Sequence, residues 1–566
     1  MSEHRSMIRW MIYMGLIAML LVPLVWLSQP ATIGANGGRG SPGGKLAQMR
    51  TEEHLGEANL GKIDPTSETL KLMTFGMRGV AVLFLWNKAN RYKKEEDWDG
   101  LTATLEQMTL LQPHFVSVWR YQSWNLAFNV AAEFDDYRVR YFYAKKGITF
   151  LMDGTVYNQR EPRMLWDVGW MMNQKIGRSD ERVQFRRLFA VDEEFHDLID
   201  DHIPFGNEVD GPRGKPDNWL VGRQWYLKAE KLYESDERIN IGQMADLLFF
   251  EQSAKCRINF AEAIEKEGTF GEVAGNTWKK AEDAWREYGR REMPGRAGRK
   301  QKHRLGDLEL HVTQFKKLRS QIDDLQPGLR KKMEQEKLTE LNDDVQKAYR
   351  TAEKQRSPQQ SGLAADAQFQ LDRISDKDVA ERIEGKNQQQ AMDLAVDAMN
   401  EVLIINDIEH SHSTVPYQTW LERCQIEQSP HVLAGREHLY LGNQQYERAQ
   451  FDSDSEQNLG ARQQFERGFA AWARAFKEHK SLIEDRPICE DLVTVVAIYR
   501  NHVLDRKELP DDFPLLEIIK KYPSEELRLP EKPGDEKKTE KKPVDEKPVK
   551  AEDREGEQAA KPASDE

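Results

Sequence analysis

Two acid–histidine pairs have the residue types and spacing of carboxylate metal sites. Glu193 and His196 are three residues apart, and so are Glu409 and His412. On a helix this spacing puts both side chains on one face, as in bundles that bind two iron ions. Such a site also needs two further glutamates from other helices, and the second pair lies in a segment before Pro416 that looks like a loop. We therefore expect a solvated acidic face at Glu193 and His196, with loose metal binding by Glu409, His410 and His412 as an alternative for the second segment. We assign no metal ligand, cofactor-binding residue or catalytic residue.

A glycine-rich stretch, GGRGSPGGK at 37–45, is a candidate for phosphate binding. A phosphate-binding loop needs a glycine five residues before Gly44, but Arg39 occupies that place. Leu46 stands where the loop would carry a Ser or Thr for magnesium. These departures favour a flexible tether over a nucleotide site.

The 14 tryptophans are the remaining unusual residues. Aromatic side chains at helical positions are more typical of a protein core than of a binding surface. Some could instead line a concave groove and stack against a peptide or a sugar. The candidates for such a groove are Trp119, Trp124, Trp166 and Trp170.

The N-terminal segment Met11–Leu27 contains seventeen residues without a charge. At about 1.5 Å per residue it is just long enough to cross the hydrocarbon core of a bilayer. Arg5 and Arg9 precede it, which favours a cytoplasmic N-terminus and an extracytoplasmic body. The alternative is a cleaved signal peptide, although the apolar run is longer than usual for one. We expect a single-pass protein of the cytoplasmic membrane with most of its chain on the periplasmic side.

Length, charge and cysteine content restrict the class of protein that this sequence can represent. The chain has 566 residues, which predicts two to four structural units or a repeat array. Its net charge of −13 argues against nucleic-acid binding, which needs clustered positive charge. The three cysteines, Cys256, Cys424 and Cys489, are far apart in the sequence and are expected to be small buried side chains, with one disulfide as the alternative.

Helix signals dominate the polar body, and strand signals are nearly absent. Asp97 is a candidate N-cap for a helix that ends before Pro113, and Pro162 is placed to open another helix. We therefore predict an all-α fold.

Paired helices at this spacing resemble the tetratricopeptide-repeat superfamily. That repeat has characteristic small and large apolar residues at positions 4, 8, 11, 20, 24, 27 and 32 of a 34-residue unit, and stacked units form an α-solenoid. The alternative is a generic helical array, because any amphipathic helical hairpin matches several of these positions. The seven positions are filled, in order, by Leu85, Ala89, Tyr92, Leu101, Leu105, Met108 and Pro113.

The stretch Thr69 to Gln184 also looks like a group of membrane-anchored planctomycete proteins. The segments that carry this resemblance are GMRGVAVLFLW, PHFVSVWRYQSWNLAFNVAAEFDDY and LWDVGWMMNQKIG. The resemblance implies a location in the cell envelope and no particular activity.

The arrangement predicted for the middle of the chain is an antiparallel coiled-coil hairpin. Its arms would pack against each other across a turn at Pro327-Gly328, and the alternative is that the segment packs on the repeats. Apolar residues spaced for the two arms are Phe315, Leu318, Ile322 and Leu325, then Leu338, Leu341, Val345 and Ala348. Beyond the hairpin, one apolar face of a further helix carries Met392, Val396, Met399 and Leu403.

These features predict seven segments along the chain. They are a stub and transmembrane anchor (1–28), a flexible linker (29–64), a repeat-like block (65–295), a charged coiled-coil hairpin (296–355), a polar linker (356–390), a second repeat-like block (391–528) and a disordered Lys/Glu/Pro tail (529–566).

The function that these expectations favour is a membrane-anchored helical scaffold that binds a protein or peptide partner in the cell envelope. One alternative is a structural spacer of the envelope that self-associates through its coiled coil. An (α/α) enzyme with a carboxylate site is a weaker alternative, because abundant acids alone do not define a site.

Overall fold

The structure, a computed structural model, describes residues 78–242, 244–295, 302–455, 459–505, 508–524 and 527, with a few isolated positions before residue 50. The predicted anchor Met11–Leu27, apart from Gly15 and Met19, lies outside the described residues, as do nearly all of the linker 29–64 and the whole tail 529–566. Among the described residues, no helix combines the length and apolar composition needed to cross a membrane.

The described part of the chain is all-α. Its only sheet is a pair of two-residue strands, β1 (Met293–Pro294) and β2 (Lys302–His303), paired antiparallel. The helices are α1 (Arg78–Lys94), α2 (Trp98–Leu111), α3 (Val116–Trp124), α4 (Tyr137–Tyr157), α5 (Pro162–Met171), α6 (Arg182–Phe189), α7 (Glu193–His202), α8 (Asn218–Ser235), α9 (Asp246–Lys266), α10 (Gly271–Arg290), α11 (Leu308–Leu325), α12 (Leu329–Thr339), α13 (Asp343–Arg350), α14 (Pro358–Asp372), α15 (Asp376–Arg382), α16 (Gln388–Thr414), α17 (Tyr417–Ile426), α18 (Pro430–Glu447), α19 (Ala461–Glu478), α20 (Arg486–Ile498) and α21 (Leu516–Lys521).

Three of these helices continue directly into a π-helical segment. Helix α3 continues as Asn125–Val130, α5 as Met172–Ile176 and α20 as Tyr499–Val503. A π segment accommodates an extra residue within an otherwise α-helical run.

Local sequence explains several helix starts. The Asp97 carboxylate accepts a hydrogen bond from the Gly100 backbone N–H at 2.9 Å, which caps α2 as predicted. Pro162 occupies the first turn of α5, where its missing N–H costs no hydrogen bond. Ser357 and Ser375 form capping boxes that begin α14 and α15. The segment 356–390, described above as a polar linker, therefore contains two capped helices.

The chain divides into two compact units, residues 1–480 and 481–566. The second unit contains α20 and α21, whose buried side chains include Leu492, Val496, Ile518 and Ile519. This division falls inside the predicted second block 391–528.

Helices α1 to α10 of the first unit, here called the array, form successive helical hairpins. Each hairpin packs on the next, and α10 packs on α17. The first helices of the hairpins begin at residues 78, 116, 162 and 246, and α6 and α7 lie in the chain between the two helices of the third hairpin, α5 and α8. The core is rich in aromatic residues, including Trp225, Trp278 and Trp285. The predicted repeat residues Ala89, Leu101, Leu105 and Met108 are buried between α1 and α2.

The coiled-coil hairpin was predicted with the wrong pair of helices. The turn exists, and Gly328 adopts a left-handed φ of +84° that favours glycine. However, α11 packs along α16 and not along α12 or α13, the two helices that come directly after the turn. We call the α11–α16 pair the arm. Apolar spacing defined one face of α11 but not which helix would cover that face.

The fully buried apolar side chains in the first half of α16 are small. Ala391, Ala395 and Ala398 are buried, while Val396 and Met399 are 58% and 61% exposed. Small residues let two helices approach closely, so the alanine face contacts the partner while Val396 and Met399 remain outside.

The segment before Pro416 is helical, not a loop. Helix α16 continues to Thr414, so Glu409 and His412 lie in its last two turns.

Candidate functional site

The structure does not bring the four candidate tryptophans together. Trp119 and Trp166 are buried, and the indole Nε1 of Trp166 donates to the Phe249 carbonyl at 3.2 Å. Trp124 is 42% exposed and stacks on Phe128, whose ring centroid lies 5.7 Å from that of half-buried Trp170. Of the four, Trp119 lines a groove between helices of the array.

This groove has a volume of about 1290 Å³ and lies entirely within the array. Helix α4 forms its floor, α2 forms one wall, and α7 with the last turns of α8 forms the other. Apolar side chains that line it are Leu105, Trp119, Leu126, Phe142, Phe150, Val156, Tyr157, Leu165, Leu198 and Leu232, and charged ones are Glu106, Lys145, Lys146, Asp153, Glu194, Asp201, His202 and Lys228.

Helix α4 has one face that lines the groove and an opposite face that is buried in the core. The residues Phe142, Lys146, Phe150 and Asp153 recur at helical spacing on the groove side. The opposite face is buried, and there Gly147 touches α3 so closely that an added methyl group would lie 2.6 Å from the Ser123 carbonyl oxygen. The glycine therefore holds the floor helix tightly against α3.

Aromatic contacts fix the base of the groove. Trp119 lies with its ring centroid 4.7 Å from Phe150 and 5.8 Å from Tyr157. Its Nε1 donates to the Pro113 carbonyl oxygen at 2.9 Å, and Asn158 Nδ2 donates to the same oxygen at 3.0 Å. With its polar atom satisfied, Trp119 presents an apolar surface to the groove.

Ion pairs join the N-terminal end of α7 to the floor helix α4. Asp192 caps α7 by accepting from the Phe195 N–H, and it also accepts from Lys145 Nζ at 3.0 Å. Lys145 Nζ donates to Glu194 at 3.0 Å as well. Burial disfavours the charge on Lys145, but the hydrogen bonds to Asp192 and Glu194 outweigh it and raise the pKa of the amine.

The C-terminal end of the same wall is held differently. His202 Nε2 lies 3.6 Å from Asp153 Oδ1 on the floor, and its Nδ1 lies 2.8 Å from the Leu198 carbonyl oxygen. The contact with Asp153 raises the pKa of His202 above its usual value, against the opposing effect of burial. Lys228 Nζ donates to the His202 carbonyl at 2.8 Å, and burial lowers the pKa of that lysine.

The acid–histidine pairs do not converge on a site. Glu193 points outward to Lys215, whereas His196 is buried against the Phe189 ring, with 5.0 Å between ring centroids. His412 Nε2 lies 3.0 Å from the Leu305 carbonyl oxygen. Within the ranges that the structure describes, no group of three or more His, Cys, Asp or Glu side chains is arranged to hold a metal ion. Cys256, Cys424 and Cys489 are buried free thiols.

The groove offers an apolar base with charges of both signs at its rim. Its floor from Phe142 to Tyr157 runs for about 22 Å at 1.5 Å per residue. This length and the apolar lining suit an α-helix that buries one face. Phe142, at 55% exposed, is an apolar residue that remains available for such a contact.

No family model matches the chain, and no curated protein or solved structure matches it.

Sequence reasoning identified Trp119 but missed the other lining residues. The i, i+4, i+8 spacing of Phe142, Lys146 and Phe150 was a usable signal for a two-faced helix. Leu198 and His202 had no comparable signal, because they reach the groove only through the packing of α7 beside α4.

Proposed function

We propose that this protein is a membrane-anchored scaffold whose tetratricopeptide-like array binds an amphipathic helix of a partner protein. The observation that carries the proposal is the groove, with an apolar base about 22 Å long and a charged rim. Proteins that recognise helices do so by burying one apolar face in such a groove. The burial of Ala89, Leu101, Leu105 and Met108 supports tetratricopeptide-like packing, because these residues occupy the repeat's characteristic positions.

The membrane part of the proposal rests on the sequence of Met11–Leu27, with the array on the periplasmic side. Deleting residues 1–28 should move the protein from the membrane fraction to the soluble fraction. Recovery of the truncated chain in the membrane fraction would contradict the proposed anchor.

Site-specific photocrosslinking tests the groove. A photoreactive phenylalanine analogue at Phe142 should capture one defined protein in intact cells. The matched control is Phe369, which is similarly exposed at 64% but lies on α14, away from the groove. Leu198→Glu should abolish the Phe142 product, because it places an unpaired charge against the apolar face of the bound helix.

The circular dichroism spectrum of Leu198→Glu should match that of the parent, which excludes unfolding as the cause. The same products from positions 142 and 369, or a product insensitive to Leu198→Glu, would overturn the groove as a partner site. The crosslinked residue of the partner should fall in a segment with apolar residues at i, i+3 and i+4.

A structural, self-associating role is the second candidate, and the arm favours it. Met392, Val396, Met399 and Leu403 keep the 4-3-4 spacing of a coiled-coil seam, and none of the four is fully buried. Light scattering of the detergent-solubilised chain should then report an oligomer that Met399→Glu dissociates. Val191→Glu is the control, since Val191 is comparably exposed at 67% but lies outside the arm. A monomer before substitution would rule this role out.

A further inference from the structure

His202 is held so that both of its ring nitrogens face oxygen acceptors. Nδ1 lies 2.8 Å from the Leu198 carbonyl oxygen and must carry a proton to donate to it. A neutral ring with that proton leaves Nε2 with a lone pair, which faces the Asp153 carboxylate at 3.6 Å. Only the doubly protonated imidazolium donates towards both acceptors.

The surrounding charges act in opposite directions on this ring. Asp153 on α4 favours the imidazolium, whereas Lys228 on α8 disfavours it. The Trp225 ring lies 6.4 Å away, centroid to centroid, and covers one side. Asp201, the neighbouring residue on α7, also lines the groove. The balance raises the pKa of His202, with the Asp153 contact as the largest cause.

Besides the buried side chains Phe195 and Ile199, two different charged contacts hold the α7 wall beside the floor. At its N-terminal end Lys145 Nζ on α4 lies 3.0 Å from both Asp192 Oδ1 and Glu194 Oε2. At its C-terminal end the link to α4 is the His202–Asp153 pair, in which one partner titrates near neutral pH.

We propose that protonation of His202 latches the C-terminal end of α7 onto the groove floor, so that the groove is narrow in mild acid and wider above neutral pH. The inference concerns the regulation of the groove and rests on its proposed use as a partner site. Because the folded-state pKa is raised, the latch is complete below the ordinary histidine pKa of 6.5 and is lost as pH rises through the folded value.

Spin-label distances across the groove test the latch in the full-length chain. Labels at Gln107→Cys on α2 and Asp197→Cys on α7 replace exposed residues on the two walls, while the native cysteines are buried. The distance distribution should be narrow at about pH 5.5 and should broaden and shift to longer distances at about pH 8.5, on either side of the histidine pKa. A reference pair on the arm, Lys316→Cys with Asp397→Cys, should not change with pH.

Two variants identify the residues responsible. His202→Asn retains an amide donor for the Leu198 carbonyl but removes the group that faces Asp153, so the broad distribution should appear at both pH values. Asp153→Asn should lose the pH dependence as well, because the neutral amide no longer stabilises the imidazolium.

An unchanged distribution between the two pH values in the parent, or a pH shift that persists in His202→Asn, would overturn the latch. The Phe142 crosslink distinguishes a failure of the latch from a failure of the partner site. If the latch fails while the Phe142 product remains and still depends on Leu198, the groove stands as a partner site without pH control. Loss of that product in the parent itself would instead remove the partner site.

Discussion

The array and the arm are both built from packed helix pairs, yet they fill the space between helices differently. The array buries tryptophans such as Trp225, Trp278 and Trp285, whereas the arm buries the alanines of α16 against α11. Large side chains hold helices apart, and between α2, α4 and α7 an open groove remains. Small side chains bring two helices together and leave the larger residues outside. The array therefore retains a groove, whereas the arm leaves Val396 and Met399 exposed beside a close helix contact.

The largest loss of stability is expected from removing one large buried side chain of the array. Trp285 is fully buried, and its Nε1 donates to the Tyr417 carbonyl at 2.9 Å, joining α10 to α17. Trp285→Ala should lower the free energy of unfolding by about 3–5 kcal/mol, because a cavity replaces the ring. Urea unfolding followed by circular dichroism measures this loss. Trp124→Ala, at an exposed site, should cost less than about 1 kcal/mol, and equal losses would contradict the comparison.

A smaller loss of stability is expected from placing a larger side chain in the helix contact of the arm. Ala395 is 3% exposed and belongs to the same cluster as Ile322. Ala395→Leu should destabilise the chain by about 1–3 kcal/mol, since the close helix contact has no room for the added atoms. Val396→Leu changes the neighbouring exposed residue and should fall within about 0.5 kcal/mol of the parent. If the two variants lose similar stability in urea, the arm is not packed through its alanine face.

A third effect is expected in how the stability of the array depends on pH. Burial raises the pKa of Glu230 to about 7, despite a 2.5 Å contact with Arg291 that lowers it. The folded state then binds a proton more tightly than the unfolded state, so this group's contribution to stability should fall as pH rises from about 4.5 to about 7. Glu230→Gln should flatten that slope in urea midpoints measured across this range. Glu234→Gln, at the exposed partner of the same arginine, should reduce the slope only slightly, because Glu234 is a minor cause of the raised pKa of Glu230.

Helix boundaries could be predicted from sequence because local residues set them. Asp97 caps α2, Pro162 opens α5, and Gly328 separates α11 from α12, all within a few residues of the features they determine. The partner of α11 could not be predicted in the same way. Its apolar face at Leu318 and Ile322 fits any complementary helix, and the one it contacts begins more than sixty residues later, at Gln388.

The apolar spacing of Met392 and Val396 on α16 did not indicate which side chains are fully buried. How close two helices can come depends on side-chain size, and the buried residues are alanines. The candidate groove was found only through Trp119, because its walls come from helices that are distant in sequence. Glu409 and His412 were placed in a loop because Pro416 follows them, although the helix ends just before it, at Thr414.

The π-helical segments after α3 and α5 have a consequence for the surface of the array. Each lies at the end of a hairpin's first helix, and Trp124 and Trp170 lie at the two junctions. An extra residue there rotates the side chains that follow about the helix axis, so the indole before the insertion and the core residues after it can face different directions. Exposed Trp124 and half-buried Trp170 both pack on the Phe128 ring, so the two junctions meet at one aromatic contact.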